Sequence, residues 1–473
     1  MKEFNFDFYL PRGGKVFFVG IGGVSMSGLA EILAAWGYSV SGSDFKESEA
    51  TKHLRQLRIN VLIGHSEGNI SSDVNLVVHT SAVKEDNPEI IRAKEMKIPV
   101  INRASLLGEI IKQYPRSVGV AGMHGKTTTT SAVTEMLLAG DPTVALGGYY
   151  KNIGGNYRIG KSGLFIFEAD EYCDSFLKFY PTCGVILNIE EDHLDYFSGI
   201  GHIRKSFRKY AENIKDILVI NSQIENLNEI TDNLSCKVVT FKGVSQRASQ
   251  NEIEEETKAD FYAKNISFNS NGNSSFDIYA NGKFLVSIKT KLTGFHNIDN
   301  TLAAFAACYS LGEGNGADNL AASLSRFLPA QRRFEQKGIY NGAVIIDDYA
   351  HHPTEIKMAL FGARQAGRQK IICIFQPHTY SRTISLFNDF ASSFEDCDEA
   401  AFVDIFAARE NDPGTVSSRL LSEAVKKTGK ESLYFESFEE AAAHYKKTLA
   451  SGEMLITMGA GDVYRIGEMI LSH

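Results

Sequence analysis

The sequence lacks the long apolar runs of membrane proteins and the paired cysteines of small secreted domains. No apolar stretch approaches the ~20 residues that a membrane-spanning helix requires. Glu3 and Asp7 interrupt the apolar residues at the start of the chain, so we find no signal peptide. We therefore expect a cytoplasmic protein that has no membrane partner. The cysteines are scattered without a C-x-x-C pair, which favours free thiols over disulfides or a zinc site: Cys173, Cys183, Cys236, Cys308, Cys373 and Cys397.

An excess of positive charge is also missing. The chain has 49 Lys and Arg against 57 Asp and Glu, which gives a formal net charge of −8. This balance argues against a nucleic-acid partner bound by bulk electrostatics, although a locally basic pocket is compatible with it. At 473 residues the chain exceeds the length that one compact core supports, so several domains are expected.

Short strands and helices alternate along the chain, which predicts α/β domains with parallel sheets. We divide the chain into a Rossmann-like domain (1–112), a central P-loop ATPase-type α/β domain (113–326) and a C-terminal doubly wound, Rossmann-like domain (327–473). In the central segment, "DIYANGKFLVSI" predicts a hairpin that turns at Asn281-Gly282. The central domain should therefore carry an antiparallel edge.

The first segment opens with a strand, "KVFFVGIGG", a helix, "SMSGLAEILAAWG", and a second strand, "YSVSGSD", that ends at Asp44. This order resembles a dinucleotide-binding fold. Gly20 and Gly22 fill the first two positions of its glycine fingerprint, but Ser25 occupies the third. We therefore expect a helix N-terminus that faces a phosphate, and this phosphate need not belong to NAD.

The stretch "AGMHGKTTTT" (121–130) predicts a phosphate-binding loop between a buried strand and a helix. Gly122 and Gly125 permit the sharp turn that brings backbone N–H groups near an anion, and the N-terminus of the helix favours negative charge. Lys126 adds a positive charge and Thr127 a hydroxyl suited to Mg²⁺. The general pattern G-x-x-x-x-G-K-[ST] is missed by one position, because Val120 stands at its first glycine. A glycine turn followed by a solvated lysine is therefore the alternative.

Acidic side chains follow two later strands of the central segment. "LFIFEADEY" ends in Glu168, Asp170 and Glu171, and "CGVILNIEEDHLDYF" ends in Glu190, Glu191, Asp192, His193 and Asp195. Because the carboxyl ends of parallel strands share one edge, both clusters should lie beside the phosphate loop. Carboxylates beside a triphosphate suit Mg²⁺, a hard cation. The alternative is that they are solvated loop acids.

Six motifs occur in the order and spacing of one family: "GMHGKTTTT", "EADE", "NIEEDHLD", "FHNIDN", "RRFE" and "DDYAHHPTE". Over essentially its whole length the chain resembles the Mur ligases of peptidoglycan synthesis. The family's own loop reads G-T-x-G-K-[ST], which accounts for the shifted glycine. Met123 replaces the threonine of that loop, and we expect little consequence because the loop works through its backbone.

The resemblance implies an ATP-dependent ligase whose third domain closes on the other two. ATP phosphorylates a substrate carboxylate, and the amine of an amino acid then displaces phosphate from the acyl phosphate. The implied requirements are ATP and Mg²⁺, with Mn²⁺ as a substitute. The segments "GIGGVSMSGLAEIL" and "FQPHTYSRT" are similar to the member that joins L-alanine to UDP-N-acetylmuramate. A monomer or weak homodimer is expected.

The resemblance also implies residue roles. It implies catalytic roles for Lys126, Glu168, His193, Arg333 and Asp348, and metal ligation by Thr127, Glu168 and His193. The implied ATP site comprises Gly122, Met123, His124, Gly125, Lys126, Thr127, Thr128, His296, Asn297, Asn300, Arg333 and Asp348. Arg332 and Asp347 are alternatives to their neighbours, and "FHNIDN" could simply cap a helix. An imidazole is an unusual Mg²⁺ ligand, so a structural His193 is another alternative.

For the two other substrates the resemblance implies separate sites. The sugar-nucleotide residues are Gly22, Gly23, Ser25, Asp44, His79, Ser81 and Arg103, and the amino-acid residues are Tyr349, His351 and Arg382. Some relatives carry two arginines in the "FQPH" segment, whereas Thr379 stands at the first position here, so alanine recognition depends on Arg382 or on a residue not identified. A zinc site at "AHHPTE" (350–355), from its two histidines and its glutamate, is disfavoured because adjacent histidines do not easily face one ion and the proline starts a helix.

The sequence leaves three other functions as alternatives. The nearest is the family's recycling ligase, which adds a tripeptide to the same sugar nucleotide. Its relatives carry extra residues after "EADEY", whereas "CDSFLKFYP" here passes directly to the next strand. An NAD-dependent oxidoreductase conflicts with Ser25 and with the phosphate loop. A regulatory nucleotide-binding protein would not need the intact lysine, glutamate and histidine of the motifs.

Overall fold

The computed structural model describes residues 10–80, 83–193, 196–243, 258–269, 272–408 and 410–472. The strands are β1 Lys15–Val19, β2 Ser39–Asp44, β3 Asn60–Ile63, β4 Leu76–His79, β5 Val100–Asn102, β6 Arg116–Ala121, β7 Thr143–Tyr150, β8 Gly155–Arg158, β9 Leu164–Glu168, β10 Cys183–Ile186, β11 Ile217–Asn221, β12 Lys237–Lys242, β13 Phe261–Phe268, β14 Ser274–Ala280, β15 Lys283–Lys289, β16 Glu335–Tyr340, β17 Ala343–Asp348, β18 Ile371–Phe375, β19 Glu399–Phe402, β20 Glu431–Tyr434 and β21 Met454–Met458. The helices are α1 Val24–Ala35, α2 Glu49–Gln56, α3 Pro88–Glu95, α4 Arg103–Lys112, α5 Lys126–Leu137, α6 Ile200–Glu212, α7 Leu227–Thr231, α8 Phe295–Ser310, α9 Ala317–Arg326, α10 Pro353–Gln365, α11 Tyr380–Ser385, α12 Phe387–Ala391, α13 Ser418–Lys427, α14 Phe438–Thr448 and α15 Tyr464–Leu471. Within these ranges, no helix is long and apolar enough to span a membrane.

The first sheet has the strand order β3-β2-β1-β4-β5, and all its neighbours are parallel. Its central strand β1 is buried on both faces at Phe17, Phe18 and Val19. Such a continuous apolar strand is typical of a parallel sheet covered by helices on both sides. The glycine turn after β1 leads into α1, which is the Rossmann-like arrangement expected from the sequence.

The central sheet has ten strands in the order β15-β14-β13-β12-β11-β10-β6-β9-β7-β8. The strands from β13 to β7 are parallel, whereas β14, β15 and β8 run antiparallel to their neighbours. The β14–β15 hairpin turns at Asn281 (φ 49°) and Gly282 (φ 79°), the left-handed pair that a two-residue hairpin favours. The expected antiparallel edge is therefore present.

The third sheet has the order β16-β17-β21-β18-β19-β20, and β16 is its one antiparallel strand. Three sheets confirm the predicted three-domain α/β fold. The predicted domain borders follow Lys112 and Arg326, where α4 and α9 end. Their positions remain predictions. All six cysteines are free thiols, and Cys173 alone among them is exposed.

The first domain contacts the central domain through α1. A Cβ at Gly28 would lie 2.1 Å from the ring of Tyr157 in β8, so this helix position has no room for a side chain. The amide of Asn156 donates to the backbone oxygen of Val24 at 3.2 Å. The glycine turn of the first domain is thereby held against the β7–β8 hairpin of the central domain.

Candidate active site

The phosphate loop joins β6 to α5, as the sequence predicts. Gly122 (φ 143°) and Gly125 (φ 82°) adopt backbone angles that favour glycine. Asn188, just beyond β10, holds the loop from both sides: its Oδ1 accepts from the N–H of His124 at 2.9 Å, and its Nδ2 donates to the oxygen of His124 at 3.1 Å. A Cβ at Gly125 would lie 2.3 Å from Oδ1 of Asn300, so this glycine also permits close packing on α8.

Lys126 forms a buried ion pair with Glu171. Its Nζ lies 2.8 and 2.7 Å from the two carboxylate oxygens, and it also donates to the backbone oxygen of Gly122 at 2.6 Å. The Glu171 side chain is 0% exposed. Burial alone would raise the pKa of Glu171 and lower that of Lys126, but the mutual attraction outweighs it, so the Glu171 pKa is lowered and the Lys126 pKa is raised.

Thr127 and Glu168 meet beside the loop. The threonine hydroxyl donates to Oε2 of Glu168 at 3.0 Å, and Oε1 of the same carboxylate accepts from the N–H of Gly147 at 2.6 Å. Burial raises the pKa of Glu168, although the Gly147 N–H and the charge of Arg333 oppose this shift. The pair offers oxygen donors suited to Mg²⁺. Among the described residues, no group of three or more His, Cys, Asp and Glu side chains is arranged to hold a metal.

His193 follows β10, which neighbours the loop strand β6, and it lies near two acids. Its Nε2 is 3.6 Å from Glu171 and 3.9 Å from Asp192. Burial opposes its charge, but the two carboxylates outweigh burial and raise the pKa of His193. Asp192 also pairs with Arg382 of the third domain at 3.5 Å. Both acidic clusters therefore lie beside the loop; Asp195 is outside the described residues.

The structure separates the two paired alternatives of the third domain. Arg332 pairs with Asp347 at 2.8 Å and donates to the backbone oxygen of Gly459 at 2.6 Å, within its own domain. Arg333 instead crosses to the central domain, where it donates to Thr127 Oγ1 at 3.3 Å. Asp348 accepts from two backbone N–H groups, those of residues 334 and 350, at 2.7 Å each. Arg333 and Asp348 therefore line the cleft, and their neighbours do not.

The polar start of α8 lines the same cavity as the loop. Asn300 receives a hydrogen bond from Thr129 at 3.3 Å and donates to Asn297 at 3.3 Å, while Asn297 donates to the oxygen of Thr293 at 2.8 Å. Burial lowers the pKa of His296 to about 4, so this ring is neutral. The cavity is shared with His124, Thr128, Arg333 and Asp348.

A second cavity of about 610 Å³ lies between the central and third domains. Its polar lining includes His193, His378, Thr379, Arg382 and Glu410.

Of the other two predicted amino-acid residues, His351 contacts a residue that lines this cavity, whereas Tyr349 packs against two arginines. Tyr349 packs its ring 5.1 Å from the guanidinium carbons of Arg332 and Arg333. His351 contacts the ring of His378 at 5.9 Å between centroids. Burial lowers the pKa of His351 to about 4, so this ring is neutral.

The zinc alternative finds no support in this geometry. Glu355 caps α10 by accepting from the backbone N–H groups of His351 at 2.9 Å and His352 at 3.3 Å. Nδ1 of His352 accepts from the N–H of Thr354 at 3.3 Å, so this imidazole also acts as a cap.

Several of the predicted sugar-nucleotide residues lie at the glycine turn of the first domain. Gly22 donates its N–H to Asp44 at 2.8 Å, and Gly23 is the residue that precedes α1. His79 contacts the backbone oxygen of Thr80 at 3.2 Å. Ser81 lies outside the described residues.

Tyr157 brings this region into contact with the central domain. Burial raises the pKa of Tyr157, whereas a hydrogen bond with Ser25 and the charge of Arg103 oppose this shift. Ser25 and Arg103 therefore face the central domain.

Sequence reasoning placed Glu171 beside the loop but missed its pairing with Lys126, and it missed Asn188 and Tyr157 altogether. Glu171 was visible only as one acid in a cluster, Asn188 carries no motif beyond following a strand, and Tyr157 lies in an unremarkable hairpin. The available signal for Glu171 was an acid at the end of a strand that neighbours the loop strand. For the other two residues, only the packing of distant segments identifies the contact.

The loop, the acids and the crossing arginine define a class of protein: a three-domain α/β protein with a phosphate-loop cleft between its second and third domains. Family models match most of the chain. They are the Mur ligase family catalytic domain (15–115), the Mur ligase middle domain (120–308) and the Mur ligase glutamate ligase domain (332–461). The chain belongs to the Mur ligase family.

Relatives match over the whole length. The UDP-N-acetylmuramate–L-alanine ligase of Acetivibrio thermocellus is 45% identical over 460 residues, which cover 96% of this chain and 95% of the relative. The ligase of the same name from Clostridium novyi is 45% identical over 471 residues and 99% of both chains. Among solved structures, the UDP-N-acetylmuramate-alanine ligase of Thermotoga maritima has a TM-score of 0.77 and 30% identity over 97% of this chain and 98% of its own. A murein peptide ligase of Psychrobacter arcticus (TM-score 0.67, 22% identity, 97% and 98% coverage) shares the fold.

Proposed function

We propose that the chain is an ATP-dependent ligase that joins L-alanine to the lactyl carboxylate of UDP-N-acetylmuramate in peptidoglycan precursor synthesis. The observation that carries this proposal is the full-length identity of 45% to ligases of that name. The cleft supports it, because Lys126, Thr127 and Arg333 bring donors from two domains to one loop. We expect the protein in the cytoplasm, as a monomer or weak homodimer.

The chemistry follows from the weakness of a carboxylate as an electrophile. Transfer of the γ-phosphoryl group of ATP converts a carboxylate oxygen into part of a leaving group, and ADP departs. The amine of L-alanine then attacks the acyl carbon through a tetrahedral intermediate and displaces phosphate. Catalysis is chiefly positioning and charge neutralisation. In this proposal Lys126 leaves Glu171 to hold the β- and γ-phosphates, and Arg333 and Asp348 approach the nucleotide from the third domain.

Magnesium fits the residues beside the loop. Thr127 and Glu168 supply oxygen donors, and Mg²⁺ normally completes its shell with phosphate oxygens and water rather than with a full set of protein ligands. When bound, Mg²⁺ would neutralise charge on the phosphates. His193 fits this role less directly, because Glu171 and Asp192 already face its Nε2. It would hold a second ion only after leaving them.

For the amino acid, the proposed site is the second cavity. Arg382 would pair with the alanine carboxylate, exchanging Asp192 for the substrate. An apolar contact with a single methyl group gives only ~1–3 kcal/mol of discrimination, so glycine and serine should be weaker substrates rather than excluded ones.

The decisive assay is phosphate release from MgATP and UDP-N-acetylmuramate, with and without L-alanine. The proposal expects sustained release only when all three substrates and Mg²⁺ are present. A competition between L-alanine and the tripeptide L-Ala-γ-D-Glu-diaminopimelate, read by mass spectrometry, separates this function from the recycling ligase. Preferential consumption of the tripeptide would overturn the choice of amino acid.

A further inference from the structure

His124, in the middle of the phosphate loop, lies between carboxylates from two domains. Its Nδ1 is 3.3 Å from Glu355 in α10 of the third domain, and its Nε2 is 3.6 Å from Glu190, which follows β10 of the central domain. The side chain is 6% exposed. Burial opposes its charge, but the two carboxylates outweigh burial and raise the pKa of His124 to about 10. The ring is therefore an imidazolium at neutral pH.

Both carboxylates are held in place by further bonds. Glu355 caps α10 through the N–H groups of residues 351 and 352, so its position is tied to the start of that helix. Glu190 accepts a hydrogen bond from the hydroxyl of Thr354 at 3.0 Å, which is a second link between the two domains. The backbone of His124 is clamped by Asn188. The imidazolium thus connects two fixed parts of the protein.

Within the bridge formed by Glu355, His124 and Glu190, the contact between His124 and Glu190 is longer than a hydrogen bond. Nε2 of His124 is buried and makes no hydrogen bond, since Glu190 is slightly too far away. An unpartnered donor in a low-dielectric site is costly, so a small approach of Glu190 would be favourable. The start of α10 follows β17 in the chain, and β17 carries Asp348 at its end. Motion of α10 relative to the loop would therefore also move the third-domain side of the cleft, where Arg333 reaches Thr127.

We propose that His124 is a positioning residue whose imidazolium, between Glu355 and Glu190, latches the third domain onto the phosphate loop and so sets Arg333 beside Thr127. Its catalytic consequence rests on the proposed function, whereas the latch itself is a property of the chain. The loop histidine then has a role separate from that of the loop backbone, which would cradle phosphate.

The charged neighbours determine how the latch responds to pH. The ring of His352 lies 4.9 Å from that of His124, and burial together with the His124 charge lowers the pKa of His352, so this second ring is neutral. The other charged and titratable groups around the three-residue bridge are His296, Arg333, Asp348 and His351, which act on Glu355, and Asp192 and Arg382, which act on His352. A raised His124 pKa means that the stabilisation is complete below pH 6.5, the ordinary value, and is lost as the pH rises through about 10.

The test compares full-length variants by small-angle X-ray scattering and steady-state kinetics. His124→Gln removes the charge with little change in size, Thr354→Val removes only the hydroxyl that donates to Glu190, and His444→Gln is the matched control in α14, away from both cavities. We expect His124→Gln to have a larger radius of gyration with and without MgADP, and a kcat at least about tenfold lower, in the range of a lost charge-assisted contact. The KM for UDP-N-acetylmuramate should change less than about twofold, because the latch is not a uniform binding contact. Thr354→Val should shift both readouts in the same direction by a smaller factor.

Each alternative has its own signature. Wild type should expand as the pH approaches 10, and His124→Gln should show no such transition. If His124→Gln matches wild type in compactness and turnover at every pH, the latch is refuted. Weaker MgADP binding with unchanged compactness would also refute it, because His124 would then contact the nucleotide directly. If His124→Gln fails to fold, Thr354→Val decides: an unchanged radius refutes the latch. Absence of three-substrate phosphate release in wild type would overturn the proposed function, while the scattering comparison would still decide the latch.

Discussion

Replacing Lys126 by alanine breaks a buried ion pair and, in the proposed function, also removes a charge that holds the phosphates. The ammonium lies 2.7 Å from Glu171, whose side chain is 0% exposed. Breaking a buried pair typically costs ~3–5 kcal/mol, because the remaining charge stays uncompensated. His193, 3.6 Å from the same carboxylate, remains as a partial counter-charge, so we expect the lower end of ~3 kcal/mol. For a domain of about 200 residues this corresponds to a melting temperature roughly 6–12 °C lower.

A double variant separates the two effects. Lys126→Ala/Glu171→Gln removes both charges, so no buried ion is left without a partner, and most of the lost melting temperature should return. Turnover should stay at least about a hundredfold below wild type in both variants, as expected when one charge contact to a transferring phosphoryl group is lost. Thermal unfolding by circular dichroism gives the stability, and phosphate release with all three substrates gives the turnover.

Two results would contradict this reasoning. If Lys126→Ala melts at the wild-type temperature, Glu171 does not depend on the lysine for its charge. If the double variant regains turnover together with stability, Lys126 acts only through folding, and its assignment to the phosphates is wrong. If the double variant recovers neither turnover nor stability, glutamine at position 171 does not replace the carboxylate as a hydrogen-bond acceptor. The ion pair with Lys126 would then be the smaller part of what Glu171 contributes to stability.

The remaining predictions concern three other contacts. Gly28→Ala should lower the melting temperature, because the added Cβ would lie 2.1 Å from the Tyr157 ring. Overpacking costs ~1–3 kcal/mol, which exceeds the ~1 kcal/mol that alanine gains over glycine in a helix. Gly28→Ala/Tyr157→Ala should recover part of the lost melting temperature. Thr379→Gly should raise the urea concentration at the unfolding midpoint, because the backbone angles at this position (φ 66°, ψ 146°) suit glycine. The relief of ~1–3 kcal/mol of backbone strain should exceed the entropy that glycine adds to the unfolded chain. A lower midpoint would show that the threonine hydroxyl, which caps α11, contributes more than the strain costs. Burial raises the pKa of Asp348 to about 6, so it becomes protonated below that pH, and kcat/KM should fall there; a flat profile from about pH 7 to about pH 5 would exclude Asp348 as an essential carboxylate.

The phosphate loop was predictable because its information is local. A β-branched strand, two glycines at positions of positive φ and a lysine at the start of a helix stand within about ten residues of one another. The Lys126–Glu171 ion pair was not predictable in the same way, because its partners are 45 residues apart. It depends on β9 being the neighbour of β6, which is a property of the sheet order. The sequence indicated that acids would gather at this edge, but not which acid would pair with the lysine.

Adjacent residues of the same type were the second limit on predicting the site from the sequence. Arg332 and Arg333 are chemically equivalent in a sequence, yet Arg332 has a φ of 61° and its side chain pairs within its own domain. Asp347 and Asp348 stand at consecutive positions of β17, so their side chains point to opposite faces of the sheet. The choice between them depends on which face meets the central domain, and that in turn depends on how the domains are packed.

The charges that meet in the cleft come from different domains, and this bears on how the cleft opens and closes. The phosphate loop contributes the imidazolium of His124, and α10 contributes Glu355. In the second pair the signs are reversed: the central domain contributes the acid, Asp192, and the third domain contributes the cation, Arg382. Each pair gains attraction on closure but loses water, so the desolvation cost offsets part of the attraction. Closure by such pairs therefore fixes how the two domains align, and the offset helps to keep it reversible, as a site requires if it must exclude water during chemistry and then release two nucleotide products.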